Sequence, residues 1–139
     1  MSTFSSIPSY SSFDPYQNDF RPETSDTYEF KTEVYENGDR YFGQLRNGKR
    51  EGYGIMYYKN GGRYEGNWKN GLAEGKGIDY YQNGDRYEGN YHMDEEDGEG
   101  VFYYSNGDRM MGNYYKGNPI GKHVKLCANG EIEVFNFDN

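Results

Sequence analysis

The amino-acid sequence predicts an all-β protein built from consecutive antiparallel hairpins, and three observations support this prediction. One phrase recurs as NGDRYFGQL from residue 37, NGGRYEGNW at 60–68 and NGDRYEGNY at 83–91, which places Tyr41, Tyr64 and Tyr87 about 23 residues apart. A fixed period of this length is typical of a repeat array. Asn-Gly pairs recur with the same step between short aromatic and β-branched runs, which is a strong hairpin signal. The glycine density argues against helices.

Each repeat is expected to form two short antiparallel strands, with one turn between repeats and a second turn inside each repeat. The turn between repeats contains an Asn-Gly pair such as Asn60-Gly61, and we expect type I′ geometry because both residues tolerate positive φ. The turns inside the repeats lie at Asn47-Gly48 and Asn70-Gly71, with Asp94 and Gly117 at the equivalent positions.

Recurrent glycine beside recurrent tyrosine suggests a packing role for the glycines. Because side chains alternate along a strand, Tyr64, Gly66 and Trp68 share one face. A large ring can lie over bare backbone, so we expect the Tyr rings to pack over Gly66, Gly77 and their repeat equivalents and to curve the sheet. The alternative is that the glycines only form turns, although turns explain glycines at i and i+2 within a strand poorly.

Residues 64–86, YEGNWKNGLAEGKGIDYYQNGDR, resemble a MORN repeat (membrane occupation and recognition nexus), whose pattern is roughly Tyr-x-Gly, then Gly, then Gly-x-Gly, then a turn glycine. Units of this kind cover about 41–63, 64–86, 87–109 and 110–132, with a partial unit at 34–40. The resemblance implies an elongated, twisted, single-layer antiparallel meander of MORN β-hairpins.

The fourth unit departs from the pattern, because Met110 replaces the leading Tyr and His123 replaces a glycine. End repeats are usually atypical because they cap the stack. We therefore interpret residues 133–139 as a C-terminal capping strand, with Phe135 or Phe137 covering the last strand.

Residues 1–33 form a different kind of segment, an extended, irregular, low-complexity N-terminal arm without glycine. Its composition is too polar for it to fold by itself. Aromatic residues punctuated by proline nevertheless suit a segment laid along the groove of another protein, and a solvated tail is the alternative. The expected anchors of the arm are Phe4, Tyr10, Phe13, Tyr16 and Phe20.

The composition is poor in apolar residues, at 33%, but rich in aromatic ones, at 19%, and the net charge is −8. This acidity disfavours nucleic acid and anionic lipid as main partners. One repeat position is nevertheless always arginine, at Arg40, Arg63, Arg86 and Arg109. We expect these side chains to pair with carboxylates such as Glu65 and Glu88, and the alternative is a cationic stripe for phosphate or an acidic partner segment.

The sequence offers no candidate for a catalytic residue, a cofactor site or a metal site, so we expect a non-enzymatic protein. His92 and His123 are too isolated for a metal cluster or a catalytic triad. The acidic stretch HMDEEDGEG lacks the spacing of an EF-hand loop and is interpreted as a solvated hairpin tip. A lone Cys127, no long apolar run and no recognisable signal peptide lead us to expect a cytoplasmic protein.

MORN-only proteins of this kind resemble subunits of cytoskeletal assemblies, notably radial spoke heads of the ciliary axoneme. The resemblance therefore implies a scaffold that binds partner proteins along the aromatic Tyr/Gly face. The expected contact residues are Tyr41, Tyr58, Tyr64, Trp68, Tyr81, Tyr87, Tyr91 and Tyr104. One alternative is a peripheral membrane tether that binds anionic phospholipid, and another is homo-oligomerisation through open sheet edges.

Overall fold

The computed structural model describes residues 26–138, and these residues form ten strands and no helix. The strands are β1 (Tyr28–Val34), β2 (Arg40–Arg46), β3 (Lys49–Tyr57), β4 (Arg63–Lys69), β5 (Leu72–Tyr80), β6 (Arg86–His92), β7 (Glu95–Tyr103), β8 (Arg109–Tyr115), β9 (Asn118–Leu126) and β10 (Ile132–Phe137). No helix in the described range is long and apolar enough to span a bilayer.

All ten strands belong to one open antiparallel sheet whose strand order follows the chain order. The predicted all-β meander of hairpins is confirmed. Strands in a sheet lie about 4.8 Å apart, so nine spacings make the sheet roughly 43 Å wide. A single layer of this width has two faces, and the placement of each functional side chain depends on which face it occupies.

The two kinds of turn differ from each other, and the turn type expected between repeats was wrong. Asn47 and Gly48 both have positive φ, 51° and 81°, which is type I′ geometry inside the repeat. Between repeats, only the glycine of each Asn-Gly pair has positive φ, for example 99° at Gly38. The amide of Gly38 donates to the Tyr35 carbonyl at 2.9 Å, which closes a type I turn that the left-handed glycine then ends.

Each repeat contains a bulge that makes its second strand longer than its first. Gly43 pairs with Gly54 and Leu45 pairs with Arg50, so β3 carries two residues more than β2 between these pairs. Gly52 lies in this insertion with φ of 74°, a conformation that a side chain would strain. The bulge explains why β3, β5, β7 and β9 have nine residues whereas β2, β4, β6 and β8 have seven.

The boundary between the arm and the sheet lies earlier than the sequence analysis placed it. Residues 28–33, assigned above to the arm, form most of β1, which pairs with β2 over seven residues. Alternating Tyr28, Phe30, Thr32 and Val34 suit a strand. The five expected arm anchors lie outside the described residues. At the other end β10 pairs with β9, and Phe135 lies opposite His123.

Candidate functional site

One face of the sheet carries a continuous row of perpendicular rings, here called the aromatic row. Successive rings meet edge to face, with centroids 4.9 to 5.6 Å apart and interplanar angles of 78° to 89°. The aromatic row consists of Tyr41, Trp68, Tyr64, Tyr91, Tyr87, Tyr114, His123 and Phe137, in that order of contact. Such pairs contribute about 0.5–1.5 kcal/mol each beyond the area they bury, so the row links every repeat to the next.

Glycines form the bed on which the tyrosines of the row lie. A Cβ on Gly77 would overlap the Tyr64 ring, and a Cβ on Gly100 would overlap the Tyr87 ring. The Tyr64 hydroxyl then donates to the Asn67 carbonyl at 3.0 Å. The prediction that tyrosine rings pack over strand glycines is confirmed, and a role in turns alone is wrong for Gly77.

His123 completes the aromatic row in the fourth unit, where the leading tyrosine is replaced by Met110. The imidazole packs on Gly112 and is fully buried. Its Nε2 lies 2.9 Å from the Asn113 carbonyl, the equivalent of the carbonyl that the Tyr64 hydroxyl binds. Because a carbonyl only accepts, Nε2 carries the proton. The ring that Met110 does not supply therefore comes from the neighbouring strand.

The eight residues expected to contact a partner fall into two groups. Five are buried against one another, with exposures of 0% to 6%: Tyr41, Tyr64, Trp68, Tyr87 and Tyr91. Contrary to the expectation, these rings offer little surface to a partner, because ring contacts within the chain cover most of each ring. Tyr58 and Tyr81 are exposed and Tyr104 is half-buried, and a partner role for these three stays a prediction.

Asp79 is a carboxylate placed against the aromatic row. The Tyr91 hydroxyl donates to it at 2.5 Å. Burial raises the pKa of Asp79 to about 6, the Tyr91 hydrogen bond opposes the rise, and the nearby charges of Glu96 and Asp94 add to it. Burial likewise raises the pKa of the Tyr41 hydroxyl to about 12, so it stays protonated and acts as a donor at neutral pH.

The opposite face holds a groove of about 810 Å³ that crosses strands β3 to β9 and has glycine backbone as its floor. One wall is a cross-strand row formed by Glu65, Ile78, Glu88, Val101, Met111 and Val124. The other wall includes Tyr53, Asn67, Lys76, Glu99, Asn113 and Lys122. This surface was not predicted from the sequence, although Ile55, Ile78, Val101 and Val124 repeat with the same 23-residue step as the tyrosines.

The arginines at the constant repeat position share the face of this groove, and two of the four are paired with carboxylates. Arg63 contacts Glu65 at 2.6 Å and Arg86 contacts Glu88 at 2.7 Å. Each guanidinium also lies 3.8 Å from the centroid of a cross-strand tyrosine ring, which is a close cation–π contact. The predicted pairing with carboxylates is confirmed for these two arginines, which argues against a continuous cationic stripe.

Comparison with known families agrees with the repeat geometry. The MORN repeat family model matches residues 41–63, 64–86 and 87–109, and no curated relative matches the chain significantly. Each matched segment begins at a tyrosine that lies over a strand glycine. The match ends before residues 110–132, where Met110 and His123 replace the tyrosine and the glycine. Residues 41–109 of this chain are therefore three consecutive MORN repeats.

Proposed function

We propose that this protein is a non-enzymatic scaffold that binds a segment of a partner protein in the groove opposite the aromatic row. MORN repeats commonly serve as scaffolds that bind proteins or membranes. The observation that carries the proposal is the contrast between the two faces. The rings of the aromatic row are mostly covered by one another, whereas the groove combines open backbone with half-exposed Ile78 and Val101 and exposed Met111 and Val124.

The dimensions of the groove suit an amphipathic helix. Six strand spacings from β3 to β9 amount to roughly 29 Å, which a helix of about 19 residues spans at about 1.5 Å per residue. Consecutive repeats lie two strands apart, about 9.6 Å, and seven helical residues advance about 10.5 Å. A partner helix with one apolar residue per heptad would therefore place that residue against each of Ile78, Val101 and Val124 in turn.

The charges of the groove favour a partner protein over an anionic membrane. Its walls contain Glu65, Glu88 and Glu99 besides Lys76 and Lys122. Two of the four arginines at the constant repeat position, Arg63 and Arg86, are already paired with carboxylates. Anionic lipid binds clusters of unpaired lysine and arginine. The finer assignment to a cytoskeletal assembly of the ciliary axoneme rests on the resemblance to MORN-only subunits, and the assignment to the cytoplasm rests on the lone Cys127 and the absence of a long apolar run in the sequence.

Affinity capture from source cells with matched variants tests the proposal. Val101→Glu places a charge in the groove wall, and Val34→Glu places the same charge on β1, outside the groove, where Val34 is 71% exposed. We expect the wild-type and Val34→Glu proteins to retain the same partner and Val101→Glu to lose at least about nine-tenths of it. Both variants should keep the far-ultraviolet circular dichroism spectrum of the wild type.

The opposite outcomes are equally distinct. If Val101→Glu retains the partner fully, the partner does not bind in the groove and the proposal is refuted. Sedimentation with phosphatidylserine vesicles provides the second arm, in which we expect no binding. If the wild-type protein binds the vesicles and Val101→Glu does not, the groove binds a membrane rather than a partner protein.

A further inference from the structure

A second cavity, of about 550 Å³, lies on the face that carries the aromatic row and is unrelated to the groove. Its walls include the rings of Tyr58, Tyr64 and Trp68, and three carboxylates, Asp39, Asp79 and Asp94, also line it. Aromatic faces beside carboxylates are the surroundings in which proteins hold organic cations. We call this cavity the Tyr58–Asp79 pocket.

Two residues of the Tyr58–Asp79 pocket depart from the chain's own repeat pattern. Asp79 occupies the position that is Met56 in the preceding repeat and Phe102 in the next, both apolar. Asp94 occupies a turn position that is glycine in the other three hairpins and adopts a φ of 75°. A carboxylate at either position costs stability, through desolvation at Asp79 and through backbone strain at Asp94. The Asp94 carboxylate accepts from the Ala73 amide at 2.6 Å, which offsets part of its cost. Both departures nevertheless line one cavity, which indicates a use for the charge.

The structure supplies Asp79 with one hydrogen-bond donor but with no cation. Within residues 26–138, Asp79 has the Tyr91 hydroxyl as its partner and makes no salt bridge. Arg50 lines the same pocket but is engaged elsewhere, because its guanidinium donates to the Tyr35 hydroxyl at 3.0 Å and to the Gly71 carbonyl at 2.7 Å. Its Cζ also lies 4.8 Å from the Trp68 ring centroid, so this ring set already packs against a cation.

We propose that the Tyr58–Asp79 pocket binds one lysine or arginine side chain of a partner protein, with the charge at Asp79 and Asp94 and the aliphatic stem against Tyr58. Among the described residues, no group of three His, Cys, Asp or Glu side chains is arranged to hold a metal ion. A cation with an apolar stem fits a pocket that offers rings as well as carboxylates. Because this site lies on the face opposite the groove, its test is independent of the test of the function proposed above.

Titration of the full chain with side-chain analogues, followed by ¹H–¹⁵N NMR, tests the pocket. The cationic probes are the N-acetyl methylamides of lysine and arginine, and the neutral control is the N-acetyl methylamide of norleucine, which keeps the stem without the charge. We expect saturable shifts centred on Tyr58, Asp79 and Asp94 with dissociation constants in the millimolar range, on the order of 4 kcal/mol of binding free energy. Norleucine should produce no saturable shift there.

Variants separate a specific site from general attraction to an acidic protein. Asp79→Asn should weaken binding of both cations at least about tenfold, as should Asp94→Gly, which restores the residue of the other hairpins. Asp97→Asn removes an equal charge outside the pocket and should leave the affinity unchanged. Equal binding of norleucine, equal binding by Asp79→Asn, or no saturable shift with either cation would overturn the proposal.

Discussion

The exchange of a tyrosine for a histidine across two strands of the fourth unit can be tested by reversing it. The regular repeats combine a leading tyrosine with a facing glycine, as in Tyr64 over Gly77, whereas the fourth unit has Met110 and His123 at these positions. We therefore consider three variants: His123→Gly, Met110→Tyr and the double variant with both changes. If the exchange is a genuine compensation, each single variant should be unstable and the double variant should recover.

The magnitudes follow from the contacts of His123. His123→Gly empties a fully buried site between Tyr114 and Phe137, and comparable ring deletions cost about 3–5 kcal/mol. Met110→Tyr alone would direct a ring into the space that the imidazole occupies, and such overpacking costs about 1–3 kcal/mol. In the double variant, the introduced tyrosine would lie over the introduced glycine and donate to the Asn113 carbonyl, so the stability should return to within about 1 kcal/mol of the wild type.

Urea unfolding measures all four proteins, with Trp68 as the fluorescent probe. Trp68 is the single tryptophan and belongs to the aromatic row. The expected coupling free energy between the two substitutions is at least about 3 kcal/mol in the stabilising direction. Additive destabilisation in the double variant would refute the compensation and reduce His123 to an ordinary buried residue.

Three further outcomes follow from individual contacts. The pKa of Asp79 in the folded state, about 6, lies above its ordinary value of 3.8. The contribution of Asp79 to the free energy of unfolding is therefore fully present below about pH 4 and is lost as the pH rises through about 6. Asp79→Asn should accordingly stabilise the protein by up to about 3 kcal/mol near pH 7 and by little near pH 4, as thermal melts across this range would measure; equal gains at both pH values would contradict it. Gly77→Ala should cost about 2–3 kcal/mol in urea unfolding because its methyl group meets the Tyr64 ring, whereas Gly71→Ala, with open space around it, should cost only the strain of its φ of 87°, about 1 kcal/mol. Arg63→Ala should lose about 1 kcal/mol in low salt and nearly as much in about 1 M sodium chloride, because the ring contact is less screened than an exposed ion pair; a loss that vanishes in salt would assign the effect to Glu65 alone.

The sequence predicts the order and type of the strands because these depend on local chemistry. Asn-Gly turns and alternating side chains specify most of the hairpins, and a hairpin meander needs no long-range information to set its strand order. The partners of each ring are different, because they depend on register. The two extra residues of each bulge shift the pairing, so that Trp68 pairs with Ala73 while Gly66 pairs with Gly77. A pattern read along one strand does not reveal that shift.

The same limit explains why most of the predicted partner residues were buried ones. The binding role was assigned from the sequence to the large rings of the aromatic Tyr/Gly face, before their register was known. Once the register is known, Tyr64 meets Trp68 in its own strand and Tyr91 two strands away, so the rings cover one another. The packing role of His123 was missed for a related reason. The substitutions at residues 110 and 123 are seen to compensate for each other only when Gly112 is known to lie beneath the imidazole.

The two faces of the sheet carry different side chains, but both are built on the same strand glycines. Gly66 and Gly77 line the floor of the groove, and the Tyr64 ring packs against them from behind. Because nothing else lies between ring and groove, the aromatic row sets how far the floor can move. In a repeat array each unit contacts only its neighbours, so a ring fixes the groove locally, within its own repeat and the next. The side chains of the groove walls can therefore be substituted without moving the floor, because the rings behind it fix its position.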